Sequence, residues 1–330
     1  MKILFAIQGT GNGHLSRARD VYPILAQYGD VDVLISGIQA DVDFPYPIKY
    51  KYYGLSFIFG KSGGIDLGET AKKLRLGQLM KDIRHFPAEE YDIVINDFEP
   101  ISAWACKRKN LPCISLSHQC AVMHPNAPRP EEDDLIGRKI LTNYVPVTAA
   151  YGFHFKAFGE NIFTPVIRKE IRELTPTNAG HYTVYLPAYD DATLVKHLSQ
   201  FPDATWEVFS KHNKEPLAIG NVRLMKIDNT AFVKSMASSA GVLCGGGFEG
   251  PAEAMYLGKK VLVIPMVGQY EQQCNAAGAQ VMGATVIKML NEKNYPVIRE
   301  WLDNGQPIVV DYPDMTADII AKLMREHGKK

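Results

Sequence analysis

The chain opens on a near-continuous apolar run, Ile3-Leu4-Phe5-Ala6-Ile7, too short for a typical helix and suited to a strand covered on both faces. The character then changes abruptly. Gly9-Thr10-Gly11-Asn12-Gly13 predicts a turn, and Leu15, Ala18, Val21 and Leu25 fall at helical spacing between His14 and Gln27. Val31-Asp32-Val33-Leu34-Ile35 supplies a second strand. Strand, Gly-rich turn, helix, strand is the opening of a parallel α/β sheet. The alternation continues with Tyr91 to Asn96 as a strand, Pro100 to Lys109 as a helix and Pro112 to Leu116 as a strand. Between them lies a Gly-rich loop (Gly54, Gly60, Gly63, Gly64, Gly68), then a helix carrying Lys72, Lys73, Arg75, Lys81 and Arg84. A loop of that length inside a compact domain is usually functional or mobile.

Near residue 165 the pattern breaks. Phe163-Thr164-Pro165 leads into the charged run Arg168 to Glu173 and then Thr175-Pro176-Thr177-Asn178-Ala179-Gly180, the composition of a linker. A second alternation follows, with strands at Tyr182 to Leu186, Trp206 to Phe209, Val222 to Ile227, Gly241 to Leu243 and Lys260 to Ile264. The expected architecture is α/β: two Rossmann-like parallel-sheet domains, residues 1–165 and 166–330, facing a cleft. The helical stretch Met315 to Glu326 is placed to pack back on the first domain. No residue-level repeat links the halves.

A length of 330 residues agrees with two domains, and 46% hydrophobic with 22% charged residues excludes disorder, collagen and coiled coil. Thirty-six basic residues balance thirty-six acidic ones, so the footprint of a protein that coats nucleic acid is missing and no nucleic-acid partner is expected. The first residues turn polar too soon for a signal peptide, which predicts a cytoplasmic protein. Five cysteines without a Cys-x-x-Cys pair read as reduced thiols, and Cys113, His118, Cys120 and His124 do not have zinc-module spacing. No metal site is expected.

The most informative segment runs from Val242 to Ala254. A short apolar strand delivers Gly245, Gly246 and Gly247 to the start of a helix, where free backbone amides and the helix dipole favour an anion such as a diphosphate. Glu253, six residues past Gly247, can accept hydrogen bonds from two ribose hydroxyls. After the next strand, Glu271 and Gln272 form an acid-amide pair suited to sugar hydroxyls, which both donate and accept. The plainer alternatives are a tight strand-to-helix turn, an exposed helix glutamate and an acid that complements the dipole.

These features, with Gly-x-Gly-x-Gly-His at Gly9 to His14, Leu-Gly-Lys-Lys-Val-Leu-Val-Ile-Pro from Leu257 and Glu-Gln-x-x-Asn-Ala from Glu271, resemble the nucleotide-sugar glycosyltransferases of the two-domain GT-B type. The likeness is to the group holding the peptidoglycan N-acetylglucosaminyltransferase and the UDP-glycosyltransferases. It implies diphosphate on Gly245 to Gly247, ribose on Glu253, donor sugar on Glu271 and Gln272, and support from Asn275. The His-Cys-Gly-Trp-Asn-Ser turn of many plant and animal relatives is absent, so backbone amides would bear more of the phosphate binding.

The resemblance further implies an acceptor-activating base at His14. A neutral imidazole suits that work near pH 7 and works best when a carboxylate orients it, which makes Asp97 the candidate partner. The plainer reading of Asp97 is a helix N-cap. Gly11, Asn12 and Gly13 form the turn near phosphate or acceptor. Arg17 is a candidate phosphate or acceptor contact or a solvent salt bridge, and His118 and Gln119 are candidate acceptor contacts. The expected reaction is inverting, metal-independent transfer from a nucleotide diphosphate sugar, UDP by default, to a hydroxyl of a sugar, lipid or small molecule. No cofactor is expected, since the nucleotide sugar is a co-substrate. Asp30-Val31-Asp32 and Asp41-Val42-Asp43 have metal-binding spacing but sit poorly for the cleft. A UDP-N-acetylglucosamine 2-epimerase-like enzyme and a non-catalytic nucleotide-sugar-binding protein are the alternatives. Residues 72–84, with Tyr50, Tyr52, Tyr53, Phe57 and Phe59 upstream, are a candidate peripheral contact with the inner membrane face.

Overall fold

The computed structural model describes residues 1–37, 44–54, 75–132, 134–211, 213 and 215–328. Asp41-Val42-Asp43, Phe57, Phe59, Lys72, Lys73 and the glycines from Gly60 to Gly68 lie outside the described residues.

The first half forms β1 (Lys2–Gln8), β2 (Asp30–Ser36), β3 (Tyr50–Tyr52), β4 (Ile93–Asp97), β5 (Ile114–Ser117), β6 (Ala149–Phe153) and β7 (Ile162–Phe163). Its helices are α1 (Asn12–Leu25), α2 (Leu76–His85), α3 (Pro100–Lys109), α4 (His118–Val122) and α5 (Leu135–Tyr144). A short α6 (Lys169–Arg172) begins the second half. There follow β8 (His181–Tyr185), α7 (Asp191–Leu198), β9 (Thr205–Ser210), β10 (Leu217–Ile219), β11 (Val222–Lys226), α8 (Asn229–Ser238) and β12 (Gly241–Gly245). The chain finishes with α9 (Glu249–Tyr256), β13 (Lys260–Ile264), α10 (Tyr270–Val281), β14 (Thr285–Val286), α11 (Tyr295–Asn304) and α12 (Thr316–His327).

The strands build two sheets in the orders β3-β2-β1-β4-β5-β6-β7 and β10-β11-β9-β8-β12-β13-β14. All pairs are parallel except β10 with β11. Each sheet is doubly wound and has one place where the strand order reverses, between β1 and β4 and between β8 and β12. That is where open α/β sheets bind ligands, beyond the carboxyl ends of the strands. The continuous apolar runs are explained by burial: six of the seven β1 residues are buried, as are all of β4 and β13. Of the strands that the sequence pattern does not predict, β3, β7, β10 and β14 are short pieces at the sheet edges, while β6 is a five-residue interior strand between β5 and β7.

One apolar cluster runs through both halves, joining Ile3, Leu15 and Phe153 to Val242, Met255 and, on α12, Ile319, Ile320 and Leu323. Polar contacts add to it: Lys322 Nζ donates to Asn161 Oδ1 at 2.6 Å, and the Tyr151 hydroxyl donates to Glu326. The last helix therefore sits on the first sheet. All five cysteines are free thiols, four of them buried. Among the described residues no helix is long and apolar enough to cross a membrane.

Candidate active site

The turn between β1 and α1 and the end of β4 meet at the first switch point, where Ile7 is in register with Asp97. His14 Nδ1–H donates to Asp97 Oδ1 at 2.8 Å, and Arg17 Nη2 reaches both Asp97 oxygens at 2.7 Å. Asp97 is not the N-cap of α3. Glu99 caps that helix, its carboxylate accepting from the N–H groups of Ile101 and Ser102 at 2.7 Å. The turn is locked by Asn96, which bonds both the N–H and the carbonyl of Glu99. Phe98 between them takes a left-handed φ of 60° and lays its ring parallel to that of His14, centroids 6.4 Å apart. The strained residue divides two acids, one for the helix and one for the imidazole.

Burial works against a charged His14, but the Asp97 charge and hydrogen bond outweigh it, so the imidazole pKa is raised above 6.5. Burial likewise opposes the Asp97 carboxylate, and the charges of Arg17 and His14 overcome it and hold its pKa low. Arg17 is 3% exposed, and its other terminal nitrogen, Nη1, donates to Glu249 at the start of α9. Arg17 is therefore not a solvent salt bridge, and a phosphate or acceptor would reach it only by displacing one of these partners. The Glu249 carboxylate also lies against Gly13, where any side chain would overlap it. An acid from the second domain thus rests at the N-terminus of α1, where the dipole and Arg17 both favour a negative charge.

On the facing edge, a Cβ at Gly246 would lie 2.7 Å from the Gln272 carbonyl oxygen and 3.0 Å from Pro265 Cα, so only glycine fits. Around Gly247 the space is open. Gln272 is tied to the turn itself through its side-chain oxygen. Its side-chain carbonyl accepts from the N–H groups of Gly246 at 3.2 Å and Met266 at 2.9 Å, and so braces the turn. Asn275 is buried and donates to the Gly246 carbonyl at 3.0 Å. His118 is not at the cleft surface either: its ring stacks on Phe248 at 3.8 Å, and its nitrogens lie 2.7 Å from the Phe153 carbonyl and 2.6 Å from Asn275 Oδ1. It welds the two domains rather than greeting an acceptor.

Glu253 also departs from expectation. It is neither an exposed helix residue nor open to ribose: at 2% exposure both oxygens are held by Arg168, at 2.5 and 2.8 Å. A hydroxyl reaches it only if that pair opens. Arg168 was legible only as part of a charged linker.

Gln119 and Glu271 do meet at the cleft. Gln119 Nε2 lies 3.2 Å from His14 Nε2 and donates to Glu271 Oε1 at 3.0 Å, linking the candidate base to the candidate sugar ligand. Beside them is a cavity of about 190 Å³ lined by Phe98, Ser117, Gln119, Met123, Leu141 and Val147, among others. A larger concavity of about 550 Å³ lies over β8, β9 and β11, around Glu207, Arg223 and Lys234, and none of the candidate site residues line it. On α2, Leu76 and Met80 are 58% and 57% exposed beside Arg75, Lys81 and Arg84.

No curated protein matches the sequence. Among solved structures, MurG of Acinetobacter baumannii aligns over 98% of this chain and 99% of its own, with 12% identity and a TM-score of 0.55. UGT89C1 of Arabidopsis thaliana, complexed with UDP, aligns over 100% and 95%, with 13% identity and a TM-score of 0.53. UDP-GlcNAc 2-epimerase of Neisseria meningitidis, bound to UDP-GlcNAc, aligns over 99% and 100%, with 11% identity and a TM-score of 0.62. At these identities the likeness establishes the two-domain GT-B fold and not the reaction. The model of glycosyl transferase family 1 matches residues 1–304, nearly the whole chain, and the protein belongs to that family.

Proposed function

We propose that the chain transfers a sugar from a UDP-sugar to an acceptor hydroxyl by a single inverting displacement, with His14 as general base. The observation that carries the reading is the His14–Asp97 pair at 2.8 Å, set opposite the Gly245 to Gly247 turn. Asp97 keeps the proton on Nδ1, which leaves the Nε2 lone pair free to take the acceptor proton. The acceptor oxygen bonds to the anomeric carbon as the bond to the diphosphate breaks, and the leaving electron pair goes to the diphosphate. Base and leaving group then sit on opposite edges of the cleft, the arrangement that inverts the anomeric centre. The amides of Gly247 and the N-terminus of α9 stabilise the departing charge. Glu271 takes a donor-sugar hydroxyl, and Glu253 takes ribose only by exchange with Arg168. No resident cofactor or metal is assigned a part. UDP is the choice supported by the ligands of the similar structures. The acceptor is a sugar, a lipid or another small molecule, and the exposed face of α2 is the proposed contact if it lies in a membrane.

His14→Ala should abolish transfer and leave nucleotide binding intact; unchanged transfer refutes the base. In a thermal-shift panel of UDP, GDP, dTDP and ADP, the true nucleotide at 100 times its Kd should add about 2.7 kcal/mol of stability. A second reading, epimerisation of UDP-N-acetylglucosamine, draws on the epimerase-like fold and on Glu249 and Glu271 as cleft carboxylates. Turnover to an epimer without acceptor would select it.

A further inference from the structure

We infer that Gln119 caps the base against water, so that the chain holds a latent donor-hydrolysing activity that this amide suppresses until an acceptor displaces it. The inference rests on the transfer reading above. With the Nδ1 proton committed to Asp97, Nε2 is the only nitrogen of His14 that can accept, and Gln119 Nε2 stands 3.2 Å from it. The second amide hydrogen goes to Glu271 Oε1 at 3.0 Å. The amide group therefore occupies the place a reacting hydroxyl must take, between the base and the sugar ligand. It is held there firmly: Gln119 is 4% exposed and sits in the first turn of α4, which Ser117 caps.

Water poses the problem this solves. It can enter the same displacement: its oxygen bonds to the anomeric carbon, the bond from that carbon to the diphosphate breaks with the electron pair leaving on the diphosphate, and its proton goes to Nε2. The products are free sugar and nucleoside diphosphate. A water molecule has little binding energy with which to move a buried amide held by two hydrogen bonds. An acceptor has a body that fills the adjoining cavity against Phe98, Met123 and Leu141, and binding energy from such remote contacts is what rearranges a catalytic site. The amide oxygen, Gln119 Oε1, is buried without a hydrogen-bond partner. When hydroxyl-bearing substrates enter, it has a bond to gain, which offsets those the amide nitrogen gives up.

The test is nucleotide release without acceptor, using whichever UDP-sugar raises the melting temperature most. Gln119→Ala and Gln119→Met, the second close in size but unable to donate, should release UDP and free sugar about tenfold faster than the wild type or more. Their transfer to acceptor should fall, so the ratio of hydrolysis to transfer rises, whereas a merely structural defect lowers both. His14→Ala combined with Gln119→Met should abolish the release. If both single variants still show the UDP-sugar shift but hydrolyse no faster than the wild type, the cap is refuted. If the wild type shows no nucleotide shift at all, the transfer reading fails, and the cap with it.

Discussion

Asp97→Asn tests the base assignment most directly, because two opposing influences on His14 are separated by one atom change. In the wild type, burial is the largest influence and disfavours the imidazolium, yet the pKa is raised because the Asp97 charge and hydrogen bond together exceed it. An asparagine keeps the shape and removes the charge. Burial is then opposed only by the weaker pull of the Glu249 charge, the positive Arg17 adds to burial, and the His14 pKa should fall below 6.5. A base works only when neutral, so kcat/KM climbs with pH through the free-enzyme pKa. The acid limb should therefore lie above pH 6.5 in the wild type and below it in the variant. The rate itself should drop by about 10²- to 10⁴-fold, since an amide NH₂ facing Nδ1 would drive the proton onto Nε2.

The same change breaks a buried pair. Arg17 keeps its Glu249 partner and one bond, to the asparagine oxygen, but loses the other 2.7 Å bond and the Asp97 charge at 3% exposure, which should cost about 1.5–3 kcal/mol. At roughly 2–4 °C per kcal/mol for domains near this size, the melting temperature should fall by about 3–12 °C. The sign over pH follows from the raised His14 pKa. Its stabilisation is fully present below the unfolded value near 6.5 and is lost as pH rises through the folded value, so the deficit of the variant should shrink at alkaline pH by that much. The decisive measurements are pH profiles of kcat/KM alongside thermal melts at each pH. An acid limb that stays in place or moves upward in Asp97→Asn would refute the pairing as the source of the base.

Two further outcomes test the interior pairs. Arg168→Met should strand the Glu253 carboxylate and cost about 3–5 kcal/mol, while Arg168→Met with Glu253→Met should recover most of that; a coupling energy near zero in denaturant titrations would contradict the burial of the pair. His154 is fully buried, and burial, helped by His118, pushes its pKa down to about 2. The unfolded chain takes up a proton there below pH 6.5 and the folded one does not, so stability is lost as pH falls, at about 1.4 kcal/mol per unit well below 6.5. Between pH 6.5 and 5 the wild type should lose roughly 1.5–2 kcal/mol more than His154→Phe, and parallel pH curves would refute the assignment.

The sheet strands and glycine turns were legible because one influence dominates each. A central parallel strand must be apolar on both faces, as β1 and β13 are, and a turn whose backbone touches its neighbours must be glycine, as at Gly246. Side-chain partners obey no such local rule. Arg17 finds Asp97 80 residues away and Glu249 232 residues away, and Arg168 finds Glu253 across 85. The composition of residues 168–173 reads the same whether its arginine is solvated or buried. Even the question over Asp97 turned on a detail nearby, Glu99 directly before Pro100, a second acid able to cap the helix and release the first. The mismatches share a cause. Polar groups buried along the cleft find partners within the protein, because buried donors and acceptors without partners are costly. Arg17 holds Glu249, Gln119 holds Glu271 and Arg168 holds Glu253. Each pair contains a group for which the sequence suggests a substrate contact, so under the proposed function the pairs mark the bonds that nucleotide, sugar and acceptor would exchange on binding.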